Sequence, residues 1–228
     1  VLANVKGRLR ELNKKVADGS TVSFLTMTER DGKRTYRRSV TLLLQKAVEN
    51  LWGEGKHVRV FYSLGEGYYC ELENDTIDEA KLHAIYDEMM RLVEADIPIE
   101  KNSVKTEEAE YRFRDRGMKD KERLLHYRRS SRVNLYVLDG LEDYFYGYMV
   151  PSTGYLGIFD LQLYEDGFVL LFPNKDGSKV EPLKTSTKLY HTLKQSREWS
   201  RMLGVGTIGA LNDAIASGKG GQIVLLQE

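Results

Sequence analysis

A chain of 228 residues with 41% hydrophobic, 10% aromatic and 30% charged residues and only four prolines lies in the globular range. It is long enough for one large domain or two modest ones, which excludes collagenous, mucin-like and disordered classes. Lys+Arg and Asp+Glu each number 34, so formal net charge is zero and bulk polycation behaviour toward nucleic acid is excluded; any such footprint must be local.

Residues 1–26 read as a small β unit: Leu2-Ala3-Asn4-Val5, a turn at Lys6-Gly7, and the alternating Thr21-Val22-Ser23-Phe24-Leu25 after Asp18-Gly19-Ser20. The polar run Thr28-Glu29-Arg30-Asp31-Gly32-Lys33-Arg34 reads as linker. From Ser39 to Trp52, Val40, Leu43, Leu44, Ala47, Val48 and Leu51 recur at helical steps, with Ser39 as N-cap and Gly53 as stop. Val58–Tyr62 and Gly67–Leu72 read as a hairpin through Leu64-Gly65-Glu66, and Asp78–Ala95 as a helix ended before Pro98. Thr106-Glu107-Glu108-Ala109 opens another helix, and a basic stretch follows Gly117. Strands are expected around Val133–Leu138, Phe159–Tyr164 and Phe168–Phe172, with a tyrosine-rich segment from Tyr144 to Tyr155 between them. Helices over Thr187–Leu203 and Ile208–Ser217 and a short terminal strand complete the pattern. It is α+β with antiparallel hairpins rather than repeated β-α-β units.

The single Cys70 precludes an internal disulfide and a thiol-rich zinc site, and fits a reducing cytosol. The longest apolar runs, such as Gly167–Phe172, fall far short of the roughly 18–20 residues that span a bilayer, and no secretory signal opens the chain. A cytoplasmic protein without a membrane partner is therefore expected. The start on Val1 and the apolar end Ile223-Val224-Leu225-Leu226 suggest a piece of a longer protein. Gly204-Val205-Gly206-Thr207-Ile208-Gly209 has dinucleotide-loop spacing but follows a helix, which favours a helix–helix turn. Gly218-Lys219-Gly220 fails the Walker pattern. Cys70, flanked by Tyr69 and Glu71 on a strand, reads as a buried structural thiol, and His57, His83, His126 and His191 share no i, i+4 ligand spacing.

Local charge carries more. Lys105 to Arg132 holds ten basic residues against six acidic ones, and the linker adds Arg30, Lys33, Arg34, Arg37 and Arg38. Within it Arg128-Arg129-Ser130-Ser131-Arg132 places three guanidiniums and two hydroxyls in five residues, suited to a planar anion. Tyr144, Tyr146, Tyr148 and Tyr155 offer stacking faces, although a solvated, salt-bridged face beside a tyrosine-rich core accounts for the same residues.

Val5-Lys6-Gly7-Arg8 through Phe24-Leu25-Thr26, the helix from Ser39, Gly67-Tyr68-Tyr69 and Gly147 with Val150-Pro151 together resemble the N-terminal half of threonyl-tRNA synthetase, over roughly residues 1–155. The resemblance implies the latter part of a TGS (β-grasp) module over 1–28 and a degenerate editing-like domain over 29–175, followed by a helical extension over 176–228. That family's hydrolytic site uses His-x3-His on the first helix and Cys-x3-His in the second motif. Here these positions fall on Arg38 and Leu42, and on Phe145 and Met149. A guanidinium, two apolar side chains and a thioether supply neither a general base nor a hard-ion ligand, so the resemblance implies the fold while the residues argue against the activity.

Asp31–Ser39, Arg128–Asn134 and Tyr146–Tyr155 also resemble the N-terminal region of bacterial uridine kinase-like nucleoside kinases, a likeness extending to Lys188–Leu193 and Gly209–Asp213. It implies a P-loop kinase domain, with its ATP and magnesium, on the same polypeptide after Glu228, and no cofactor in this chain. The expectation is a non-catalytic binding or regulatory region recognising a nucleotide, a tRNA end or a similar anion through Arg37, Arg38, Arg128, Arg129, Arg132, Tyr146 and Tyr148. The alternatives are a hydrolase using Cys70 with His57, and a homo-oligomerising structural module.

Overall fold

The computed structural model describes residues 1–184 and 187–225. In chain order the elements are β1 Leu2–Val5, β2 Arg8–Arg10, β3 Val22–Leu25, α1 Arg30–Trp52, β4 Val58–Leu64, β5 Gly67–Leu72, α2 Glu79–Glu94, β6 Ile99–Lys105, α3 Thr106–Asp115 and α4 Lys119–His126. They continue with β7 Arg132–Leu138, β8 Leu141–Tyr144, a 3₁₀ turn Thr153–Tyr155, β9 Asp160–Tyr164, β10 Gly167–Leu171, α5 Thr187–Met202, α6 Ile208–Ala216 and α7 Gly220–Leu225. Two compact units result: Val1–Lys101 with Tyr136–Lys184, and Asn102–Leu135 with Thr185–Glu228.

In the first unit, antiparallel strands in the order β2-β1-β3 form one small sheet, and β4-β5-β10-β9 form a second. The second sheet is covered by helices whose apolar stripes meet it. Tyr36, Val40, Leu43, Leu44, Ala47 and Val48 of α1 and Leu82, Ile85, Met89 and Leu92 of α2 share one cluster with Cys70, Leu72, Phe168 and Leu170. Each such fully buried aliphatic or aromatic side chain contributes on the order of 1.5–3 kcal/mol. Asp78 caps α2 by accepting from the Lys81 N–H at 2.8 Å, and Gly53 ends α1 at φ 89° with its N–H on the Glu49 carbonyl. In the second unit α3 packs on α4 and α4 on α6. The Gly204–Gly209 segment makes the helix–helix turn that its position after a helix favoured: Gly204 sits at φ +70°, and the Thr207 hydroxyl caps α6 through the Ala210 N–H at 3.2 Å. Strands β6, β7 and β8 lie in that order in a further three-stranded sheet.

Three expectations are corrected. The segment from Arg30 onward is helix, not linker, so α1 begins nine residues before Ser39. Ser39 is no cap; it is fully buried in mid-helix, its hydroxyl donating to the Thr35 carbonyl at 2.9 Å and accepting from the Val150 N–H at 3.0 Å. The first turns of α1 are polar because most of their side chains stay at least partly in water, so no apolar stripe announces them; only Gly32, Thr35 and Tyr36 are buried there. The terminal strand is instead helix α7, whose Ile223 N–H bonds back to the Lys219 carbonyl at 3.2 Å; Leu226, the last residue of the apolar run, lies outside the described residues. A run of three or four apolar residues carries no period that separates helix from strand. The short β2 and β8, the longer but largely polar β6 and the basic helix α4 give equally weak sequence signals.

Candidate functional site

One side of α1 carries Asp31, Arg34, Thr35 and Arg38, spaced i, i+3, i+4 and i+7, so all four project from the same face. Opposite them runs the irregular segment after β8. The Arg38 guanidinium donates from Nη1 to the Tyr148 carbonyl at 2.5 Å. It also lies flat against Gly147: a Cβ built there would sit 2.4 Å from Arg38 Cζ, and Gly147 holds φ +138°, a conformation only glycine adopts readily. Between the helix and this segment is an open cleft of about 410 Å³, its walls including Thr35, Arg38, Tyr68, Tyr146 and Tyr148.

The segment is held from below by residues 1–28. Glu11, 5% exposed, accepts from the Tyr136 hydroxyl at 2.6 Å and from the Met149 N–H at 3.2 Å, and pairs with Lys101 at 3.2 Å. The Tyr136 hydroxyl is also 2.5 Å from the Gly147 carbonyl. Burial first, and then the Glu11 carboxylate, push the Tyr136 phenol well above its ordinary pKa, so it stays a neutral donor.

The cleft contains a cation that no carboxylate pairs directly: Asp31 lines the same cleft and favours the charged guanidinium from a distance. Arg38 forms no ion pair among the described residues, and partial burial draws its guanidinium below the usual pKa. Thr35 is 1% exposed and its hydroxyl has no hydrogen-bond partner. Around them the other positions implied by the editing resemblance are apolar: Leu42 and Met149 are buried and Phe145 is half-buried against the core. The Met149 sulfur lies 3.3 Å from the Ser39 hydroxyl oxygen. The residues lining the cleft include no histidine or cysteine, and among the described residues no three His, Cys, Asp or Glu side chains are grouped to hold a metal.

The Cys70–His57 pairing is not assembled. Cys70 is fully buried, burial pushes its thiol up to about 12, and its Sγ is directed at the Tyr68 carbonyl at 3.4 Å. His57 lies at the far end of the hairpin, where its carbonyl accepts from Glu73 and its Nδ1 meets the Gln45 amide at 3.1 Å. A thiol held neutral and away from imidazole is no nucleophile.

The expected binding residues therefore divide. Arg38, Tyr146 and Tyr148 come together on one cleft. Arg37, one residue away on α1, points elsewhere: it pairs with Glu66 at 2.7 Å and stacks 4.9 Å from the Phe172 ring, which makes it a clamp between α1 and the sheet. Arg128, Arg129 and Arg132 belong to the second unit, around a separate cleft of about 660 Å³. Of its hydroxyls, Ser130 donates to the Arg132 carbonyl at 2.6 Å, and the Arg132 guanidinium is taken by Ser103. The sequence reading missed Asp31, Thr35 and Glu11, and counted Arg34 only among the cations of a linker. For the residues of α1 the signal was the i, i+3, i+4, i+7 spacing, hidden once residues 28–34 were taken for linker.

No family model matches the chain. Its sequence is similar to threonine–tRNA ligases: 31% identical over 163 residues to that of Rubrobacter xylanophilus, 30% over 161 to that of Symbiobacterium thermophilum and 27% over 162 to that of Thermotoga maritima. The match takes in 70–71% of this chain but 25% of each relative, so the chain spans about a quarter of the length of the ligases it resembles. The α+β fold with antiparallel sheets and this similarity support an editing-like domain. Among the described residues no helix is long and apolar enough to cross a membrane.

Proposed function

We propose that this chain is a tRNA-related binding module, an editing-type domain that has given up hydrolysis and holds an anionic ligand, a nucleotide or a tRNA end, in the cleft between α1 and the Gly147–Tyr148 segment. The observation that carries the reading is the seating of Arg38. At a position where the resemblance implies a histidine, a permanently charged guanidinium is held on a glycine backbone, with no carboxylate pairing it and with Tyr146 and Tyr148 beside it. A fixed cation next to aromatic faces suits a phosphate or carboxylate joined to a planar ring. It does not suit activation of water. The order of modules proposed with it is a TGS-like segment over residues 1–28, which supplies Glu11 beneath the cleft, then the editing-like domain over 29–175 and the helical extension over 176–228.

The similarity to threonine–tRNA ligases favours the tRNA-related reading over the nucleoside-kinase parentage that the other resemblance implies. Two assays test the proposal on the 228-residue protein. Deacylation of a mischarged tRNA should not exceed the uncatalysed rate, and a labelled single-stranded RNA ending in a 3′-terminal CCA should bind, with at least tenfold weaker binding in Arg38→Ala. Turnover that disappears in Cys70→Ser would restore the hydrolase, whereas equal binding by Arg38→Ala would remove the cleft from recognition.

A further inference from the structure

The second unit carries a separate feature that the cleft on α1 does not explain. Helix α4 ends at His126, and the chain then runs through Tyr127 to Ser131 before entering β7. All five of these linking residues are exposed, yet the backbone at the end of the loop is tied down. The Thr106 hydroxyl donates to the Ser130 carbonyl, the Thr106 N–H donates to the Ser131 carbonyl at 3.1 Å, and Arg132 clasps Ser103 through Nε at 3.1 Å and Nη2 at 2.5 Å. The Tyr127 hydroxyl fixes the beginning of the loop on Asp213 of α6 at 2.8 Å. The side chains of Arg128 and Arg129 are thus presented from an anchored strand of backbone rather than from a loose connection, and less ordering entropy is lost when a ligand engages them.

They line the cleft of about 660 Å³ together with Lys105, Ser131, Glu107 and Glu110. Three of the six acids of α3 and α4 are held by arginines: Glu108 pairs with Arg112 at 2.6 Å, Glu110 with Arg114 at 3.2 Å, and Glu122 with Arg114 at 2.6 Å. Counting the side chains that line the cleft, Lys105, Arg128, Arg129 and Arg132 outnumber Glu107 and Glu110. A protein with zero net charge therefore concentrates cations in one open hollow. An opening of that size, with arginines on an anchored loop, matches a chain of phosphates better than a small buried ligand.

We propose that this loop is a phosphate-backbone contact for structured RNA, with Arg128, Arg129 and Lys105 as the cations that meet phosphodiesters and Arg132 as a positioning residue that shapes the loop through Ser103. The contact is independent of the cleft on α1 and reads backbone charge, not base identity.

The test uses the full 228-residue protein and a fluorescein-labelled, blunt-ended RNA hairpin with no single-stranded 3′ end, so the Arg38 cleft has no tRNA end to hold. Binding is followed by anisotropy across a salt titration. Double-stranded contacts lower log K by about 0.9 per phosphate per unit of log salt. Arg128→Gln/Arg129→Gln should reduce the slope by about 1–2 and weaken binding at least tenfold at ~0.1 M salt, with an unchanged melting temperature showing that the fold is intact. Arg38→Ala should leave the slope as in the parent protein. The proposal is overturned if the double variant keeps the slope, or if the intact protein does not bind the hairpin. It is overturned equally if inorganic phosphate at constant ionic strength displaces the RNA at low millimolar concentration, which would mark a free-phosphate pocket. Failure here leaves the Arg38 assays standing, and the reverse.

Discussion

The Tyr136 hydroxyl lies 2.6 Å from the Glu11 carboxylate, which joins the N-terminal β unit to the floor of the Arg38 cleft. Because Glu11 also takes the Met149 N–H and pairs with Lys101, its removal strands three groups in a nearly dry site. Glu11→Ala should cost about 2–3 kcal/mol in urea denaturation, and Tyr136→Phe about 1 kcal/mol. Lys101 keeps 16% side-chain exposure, which holds the first figure below that for a fully enclosed pair. A Glu11→Ala loss under about 0.5 kcal/mol would mean that residues 1–28 do not hold up the cleft.

Gly147 and Arg38 are a matched pair. A methyl at residue 147 meets the guanidinium carbon at 2.4 Å, and φ +138° adds backbone strain. Gly147→Ala should lose about 2–3 kcal/mol and abolish binding of the CCA-ended RNA by displacing Arg38. In an Arg38→Ala background the steric part disappears while the strain remains, so the two substitutions should be non-additive by about 1 kcal/mol. Strict additivity in a double-mutant cycle would show that the guanidinium does not rest on this glycine.

Gly32 decides where α1 begins. Its Cβ would lie 1.7 Å from the Thr26 carbonyl oxygen, a backbone atom that cannot swing away, so the chain leaving β3 packs directly on the helix's first turn. Gly32→Ala should cost more than about 2 kcal/mol and expose residues 26–30 to limited proteolysis. Gly7→Ala, with open space around it but φ +80°, should cost about 1 kcal/mol through backbone strain alone. Equal effects of the two substitutions would remove the close approach as the cause.

The contrast with Gly32 shows what the sequence could convey. Where a helix or strand packs one face on the core, as with Val40–Val48, Leu82–Leu92 and Phe168–Phe172, the apolar period was visible and the element was read correctly. Where an element is held by contacts distant in the chain, no local pattern recorded it: the first two turns of α1 depend on Thr26, and β6 depends on strand pairing. The site followed the same division. Arg38 was found because the spacing of the resembled motif marked it, and Tyr146 and Tyr148 because they fall in a tyrosine-rich segment, but Arg37 has the same chemistry as Arg38 one residue away, and only the fold sends it to Glu66 and Phe172. Glu11 had no signal at all, since its partners Tyr136 and Met149 lie over a hundred residues away.

Buried neutral groups fix the alkaline limit of stability. Burial lifts the Cys70 thiol from an ordinary value near 9 to about 12, and the Tyr36 phenol, bonded to the Ile158 carbonyl at 2.9 Å, from 10 to about 12. In each case the folded pKa is the higher one. Below pH ~9 both states hold the proton and these groups give no pH dependence; between about 9 and 12 the unfolded chain releases protons that the native state retains, so stability falls as pH rises. Each fully linked group contributes up to about 1.4 kcal/mol per pH unit in that window. Denaturation midpoints should therefore be flat from pH 6.5 to 8.5 with respect to these groups and decline beyond 9. Cys70→Ala should be less stable at pH 7 through loss of buried volume, but its decline between pH 9 and 10.5 should be shallower than that of the parent chain. Parallel curves for the two proteins over that interval would show that the thiol is not held neutral by the core.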